Sequence, residues 1–104
     1  MLDLRKLLSV MSEHDASDLY ITVDSPPCYR VNGNVRPAGN RCLEPEETES
    51  LALSIMNEKQ QREFDEKNEL NMGLYYSSLG RFRVNIFRQK GFLGMVIRQI
   101  KSHI

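Results

Sequence analysis

The spacing of apolar positions changes period along the chain, and each change marks an element. Leu4, Leu7, Leu8 and Met11 recur at helical intervals, so residues 2–13 are predicted to form an amphipathic helix with Asp3 as its cap. After Asp15 the period falls to two, with Leu19, Ile21 and Val23 on one face and Tyr20 and Thr22 on the other, which predicts a strand. Pro26 and Pro27 end that strand, because neither can donate a ladder hydrogen bond. Cys28 to Val31 and Asn34 to Arg36 then flank Asn32-Gly33, a pair suited to the positive φ angles of a type I′ hairpin turn.

A helical region follows. Glu44, Pro45, Glu46 and Glu47 place proline and negative charge at a helix start, and Leu51, Ala52, Ile55 and Met56 supply a buried face. Asn57 with Gln60 three residues later forms a capping-box signature for a second, mostly exposed helix anchored by Phe64. Leu70, Met72, Leu74 and Tyr76 alternate, as do Phe82, Val84 and Ile86, and Lys90-Gly91 can close a hairpin into residues 92–100. The order is helix, strand, hairpin, two helices and a three-strand meander, which predicts an α+β domain with helices on a mixed or antiparallel sheet. Residues 101–104 read as the start of a linker.

The chain has 104 residues, enough for one domain with an ordinary apolar core. Fourteen basic and fourteen acidic residues cancel, which argues against a nucleic-acid module driven by net charge. The distribution is uneven. Residues 1–40 carry four basic and five acidic residues, 41–70 four and nine, and 71–104 six and none. No run is long and apolar enough to span a membrane or to serve as a signal peptide, so a cytoplasmic chain without membrane insertion is expected. Cys28 and Cys42, with His14 and His103 as the only imidazoles, lack metal-ligand spacing and read as free thiols.

Counting outward from Lys90-Gly91 sets Gln89 opposite Phe92, Ile86 opposite Met95, Val84 opposite Ile97 and Arg83 opposite Arg98. The two apolar pairs share a core face. The two arginines share the other, where facing cations cost about a few tenths of a kcal/mol unless an anion neutralises them. That anion is an internal carboxylate, a neighbouring chain's carboxylate or a phosphate, unless both arginines are simply solvated. Arg81 lies on the same face near the turn and reads as a solvated edge residue. A self-contained active site is missing. No glycine-rich phosphate loop with its lysine is present, and Ser17 between Asp15 and Asp18 reads as a strand-start cap rather than as a nucleophile with its base. His14 reads as a helix-end residue, and His103 receives no role.

Three ordered stretches nonetheless carry a specific likeness. Asp15-Ala-Ser-Asp-Leu-Tyr-Ile21 with Pro26-Pro27-Cys-Tyr-Arg-Val-Asn-Gly33, then Arg81-Phe-Arg-Val-Asn-Ile-Phe-Arg-Gln89, then Gly94-Met-Val-Ile-Arg-Gln-Ile100 together resemble the N-terminal domain of the type IV pilus retraction ATPases of the PilT/PilU family. The last stretch and Met56-Asn57-Glu58-Lys59-Gln60-Gln61 lean towards the PilU branch. The chain departs from the family pattern at Asp15, where glycine is usual, and at Tyr20, where His or Phe is usual.

The resemblance implies a PAS-like N-terminal domain over residues 1–100, joined to a RecA-like ATPase domain that lies beyond this sequence. It implies a hexameric ring that binds ATP and Mg2+ when full-length and drives pilus retraction in twitching motility, with no cofactor and no catalysis in this domain alone. Arg83 and Arg98 match the family arginines that approach the nucleotide phosphates, and Arg81 matches the first arginine of the same motif. Expected partners are further copies of the chain, a paralogous retraction ATPase and the inner-membrane pilus platform protein, at the cytoplasmic side of that machinery. A stand-alone PAS-like ligand or protein-interaction module is the main alternative, and a purely structural ring-assembly domain a third.

Overall fold

A computed structural model describes residues 2–101 and contains three helices and six strands. Helix α1 (Leu4–Glu13) starts where Asp3 accepts a hydrogen bond from the Lys6 backbone N–H at 3.3 Å, and it buries Leu4, Leu8 and Met11. It ends in a Schellman arrangement: the Asp15 N–H donates to the Ser12 carbonyl and the Ala16 N–H to the Met11 carbonyl, with Asp15 left-handed at φ 54°. His14 is the C-cap, its backbone N–H reaching the Val10 carbonyl, in keeping with the helix-end reading.

The Asp15 conformation explains why glycine suits that position. An L-residue pays a steric penalty there that aspartate only partly escapes. Asp15→Gly is expected to stabilise the domain by about 0.5–1 kcal/mol in urea unfolding, from removal of that penalty. An unchanged or lower midpoint would show that the surface ion pair of Asp15 with Lys101 outweighs the backbone relief.

Strand β1 (Asp18–Ile21) follows at once. It is shorter than the period-two pattern predicts, because Val23 leaves the ladder and forms an isolated parallel bridge with Leu43, next to left-handed Asp24 at φ 64°. Strands β2 (Cys28–Val31) and β3 (Asn34–Pro37) close on Asn32-Gly33, both with positive φ as the hairpin reading requires. Helix α2 (Pro45–Ile55) has Glu44 as N-cap, with Glu47 accepting from the Glu44 N–H at 3.1 Å. Glu47 also takes both Nη groups of Arg41, at 2.8 and 2.7 Å, and this fork, followed by the Glu44 N–H, pulls its carboxyl down to about 2. Helix α3 (Glu58–Lys67) begins with the expected reciprocal Asn57–Gln60 bonds and buries only Phe64.

Strands β4 (Glu69–Tyr76), β5 (Gly80–Gln89) and β6 (Phe92–Ile100) form the meander. The register counted from the sequence is observed for Gln89–Phe92, Ile86–Met95, Val84–Ile97 and Arg83–Arg98. The whole sheet is antiparallel in the order β3-β2-β1-β6-β5-β4, so the first strand is paired with the last at its centre. The chain is therefore α+β, as its pattern predicts.

The strand residues that point to the helices form one core with them: Leu19, Ile21, Tyr29, Phe82, Val84, Ile86, Met95 and Ile97 from the sheet, with Leu8, Met11, Ala52 and Phe64 from the helices. Tyr29 ties β2 to α1 by donating its hydroxyl to the Leu7 carbonyl at 2.6 Å, and burial pushes that phenol up to about 12. Arg88 also lies on this side, with its guanidinium 5.1 Å from the centre of the Phe64 ring and its Nε donating to Asn68. At Gly94 the Phe87 ring lies where a side chain would stand, an added Cβ meeting it at 2.8 Å, which accounts for glycine in the middle of β6. Residues 102–104, most of the stretch read as a linker start, lie outside the described residues, as does His103.

Candidate functional site

On the face of the sheet turned away from the helices, a charged row crosses all six strands. In register it runs Gly73, Arg83, Arg98, Asp18, Arg30 and Val35, each opposite the next. Alternation along each strand explains the sorting. Phe82 and Val84 enter the core, so Arg83 between them must face outward, and Ile97 does the same for Arg98. Arg81, Arg83 and Arg98 are all exposed on this face.

The arginines differ in what neutralises them. Arg98 donates through Nε to Asp18 Oδ1 at 3.3 Å. The other Asp18 oxygen accepts from Ser17 Oγ at 2.7 Å and lies 3.7 Å from Arg30 Nε. Arg30 is itself fixed by a 2.9 Å bond from Nε to the Tyr20 hydroxyl, and its guanidinium lies over the Tyr20 ring. Of the anions the facing arginines call for, the sheet thus supplies an internal carboxylate to Arg98. Among the described residues neither Arg81 nor Arg83 makes an ion pair.

Arg83 and Arg81 instead border an open hollow of about 520 Å³, walled by Tyr75 and Ile100 and floored at Gly73. The floor exists because Gly73, directly opposite Arg83 on β4, contributes no side chain. Arg81 faces Tyr75 on one side and Ile100 on the other. Tyr75 is 67% exposed and Ile100 42%, so the wall is apolar surface open to solvent. Uncompensated guanidinium donors beside a hollow can hold a phosphate or carboxylate group; without a proton-transfer partner they bind and polarise rather than act as acid or base.

The structure brings Arg81, Arg83 and Arg98 onto one face. Asp18 and Arg30 complete the row, with Tyr20 beside it holding Arg30, and none of the three stands out in the sequence as a site residue. Asp18 and Arg98 are 80 positions apart, and only the β1–β6 pairing joins them. The one available signal was the Ser17-Asp18 step of the first motif, which reads locally as a cap. Ser17 does bond at the strand start, with its hydroxyl also 3.4 Å from the Arg30 carbonyl, but its main partner is the Asp18 carboxylate. Cys28 and Cys42 are separate free thiols. Among the described residues no helix is long and apolar enough to cross a membrane.

No family model matches the chain. It is 43% identical over 103 residues to the type IV pilus ATPase PilU of Pseudomonas aeruginosa and 36% identical over 103 residues to the type IV pilus retraction ATPase PilT of the same organism. These matches take in 99% of this chain but only 27% and 30% of those proteins, so the chain spans less than a third of the curated relatives it matches. The crystal structure of the pilus retraction motor PilT with bound ADP superposes at a TM-score of 0.91 with 30% identity, over 100% of this chain and 31% of that one. The ATPase DotB of Legionella pneumophila shares the fold alone, at a TM-score of 0.79 and 21% identity over 95% of this chain and 28% of its own. Sequence and fold agree: over nearly its whole length the chain matches the N-terminal domain of the PilT/PilU family of type IV pilus ATPases.

Proposed function

We propose that this chain is the N-terminal domain of a longer, cytoplasmic ATPase that powers type IV pilus retraction, and that its arginine face closes on nucleotide phosphates held by a RecA-like domain following residue 100. The carrying observation is the solvent-open face on which Arg83 and Arg81 stand without a carboxylate partner among the described residues, at the positions of the family motif. The higher identity to PilU supports that branch.

The chain's residues suit part of a phosphate site only. Its donors are side-chain guanidinium groups, and the sequence has no Walker-type loop to cradle a nucleotide by itself. ATP with Mg2+, when bound, supplies a phosphoryl group whose transferred charge grows on its outer oxygens. Arg83 donates to that charge, Arg98 stands beside it as a second donor, and Arg81 lines the approach. Loss of the anion after hydrolysis leaves facing cations again, which favours opening of the cleft and rotation of the domains within a hexameric ring. A paralogous retraction ATPase and the inner-membrane platform protein are the partners this work would be done on. In this reading the metal belongs with the ATPase domain.

Intact mass and peptide sequencing of the native polypeptide from its source cells test this reading. A polypeptide about three to four times the length of this domain, the ratio that the partial coverage of the relatives sets, carrying a Walker A lysine is the expected result. A native chain ending near residue 104 would overturn it and leave a PAS-like binding or assembly module.

A further inference from the structure

We infer that Asp18 is a positioning residue for Arg98: it grips the guanidinium by Nε and leaves both Nη groups turned out for an anion. The inference rests on the proposed role of Arg98 towards nucleotide phosphate. Asp18 lies on the helix-free face, yet it is only 5% exposed, because Ser17, Arg30 and Arg98 stand around it. Such a carboxylate is costly unless its oxygens are occupied, and both are. Oδ2 is committed to Ser17 and faces Arg30, which is tied to Tyr20 and to the Gly33 carbonyl. Only Oδ1 is offered to Arg98.

The mode of contact is what separates positioning from simple neutralisation. An isolated arginine–carboxylate pair favours the two-pronged fork, which occupies the terminal nitrogens that a phosphate would need. Asp18 cannot turn to offer that fork, because its second oxygen is held. Arg98 is therefore caught at the base of its guanidinium, its side chain stays 71% exposed, and neither Nη group has a hydrogen-bond partner among the described residues. The long side chain loses rotamer freedom before any ligand arrives, a cost that an untethered arginine pays on binding. The same arrangement gives each part of the Ala16-Ser17-Asp18 stretch a task. Ala16 is fully buried at the helix exit, Ser17 locks the carboxylate, and Asp18 holds Arg98.

The test is a double-mutant cycle in the full-length protein, with Asp18→Asn, Arg98→Ala and the pair measured for kcat and KM of ATP hydrolysis. Asparagine keeps the size of the side chain but not its charge, and kcat is expected to fall between about tenfold and a hundredfold with KM little changed, as for a misplaced catalytic-site group. In the Arg98→Ala background the same change is expected to cost almost nothing, because there is nothing left to position. Ser17→Ala, which frees the carboxylate without leaving a buried charge unpaired, is expected to show a smaller loss that also vanishes without Arg98, and it serves if Asp18→Asn fails to fold. Losses that simply multiply, or a normal kcat in Asp18→Asn beside a defective Arg98→Ala, would overturn the positioning role while sparing the role of Arg98. A normal kcat in Arg98→Ala would overturn both.

Discussion

In the full-length protein, Arg83→Ala is expected to lower ATP turnover about a hundredfold, the order seen when one preorganised donor to a developing oxyanion is removed. Its effect on folding is expected to be small. The side chain is exposed, makes no ion pair among the described residues, and faces another cation across the β5–β6 ladder. Removing one of two facing cations relieves repulsion, so the domain's melting temperature should hold or rise slightly. Arg88→Ala is the matched control. It lies on the same strand but on the core side, over Phe64, so its loss belongs to stability and should leave turnover intact. Equal turnover in Arg83→Ala and the unmodified protein would remove Arg83 from the site, and equal losses in Arg83→Ala and Arg88→Ala would point to a general weakening of β5.

The largest effect on stability is expected one residue away. Phe82→Ala should destabilise the domain by about 3–5 kcal/mol, the usual range for emptying a phenylalanine site in a core. Phe82 is fully buried, its ring meets the Tyr76 ring edge-on with centroids 6.5 Å apart, and its strand neighbours are Leu74 and Gln99. Central strands cannot close a void of that size without moving the ladder that sets the arginine register. Against a typical total of about 5–15 kcal/mol for a domain, the loss is large, and the thermal midpoint should drop by about 15–30 °C. A drop of only a few degrees would mean that Tyr76 and the helices repack into the space. Adjacent residues on β5 thus separate two properties: Phe82 holds the sheet together, and Arg83 stands on it facing outward.

Much of this arrangement is legible in the sequence because it is local. The Asn57–Gln60 capping box, the Asn32-Gly33 turn and the Lys90-Gly91 turn each involve residues a few positions apart, and each fixes its neighbours by backbone geometry. The Arg83–Arg98 pairing follows from one of those turns by counting, since a hairpin register propagates along both strands. Asp18 is different. Nothing near residue 18 says that β1 will lie against β6, because that pairing is chosen by the whole helix-facing core, in which Leu19 meets Ile97 and Ile21 meets Met95. The absence of acidic residues after Glu69 suggests an anion from outside, but the topology brings a carboxylate from the first motif instead. For the same reason the hollow beside Arg83 is hidden in the sequence: it depends on Gly73 arriving opposite Arg83.

That internal carboxylate also sharpens the competing reading, in which the arginines serve assembly alone. Arg98 could spend its charge on Asp18 and nothing else, whereas Arg83 has no such partner among the described residues. Arg83 is therefore the residue on which the two readings part. The direct measurement is the structure of the full-length protein with a non-hydrolysable ATP analogue and Mg2+. The expected result is a guanidinium nitrogen of Arg83 within about 2.7–3.2 Å of a terminal phosphate oxygen, with the arginine face covered by the ATPase domain. A triphosphate contacted only by the ATPase domain, with Arg83 paired to a neighbour's carboxylate or left in solvent, would contradict it.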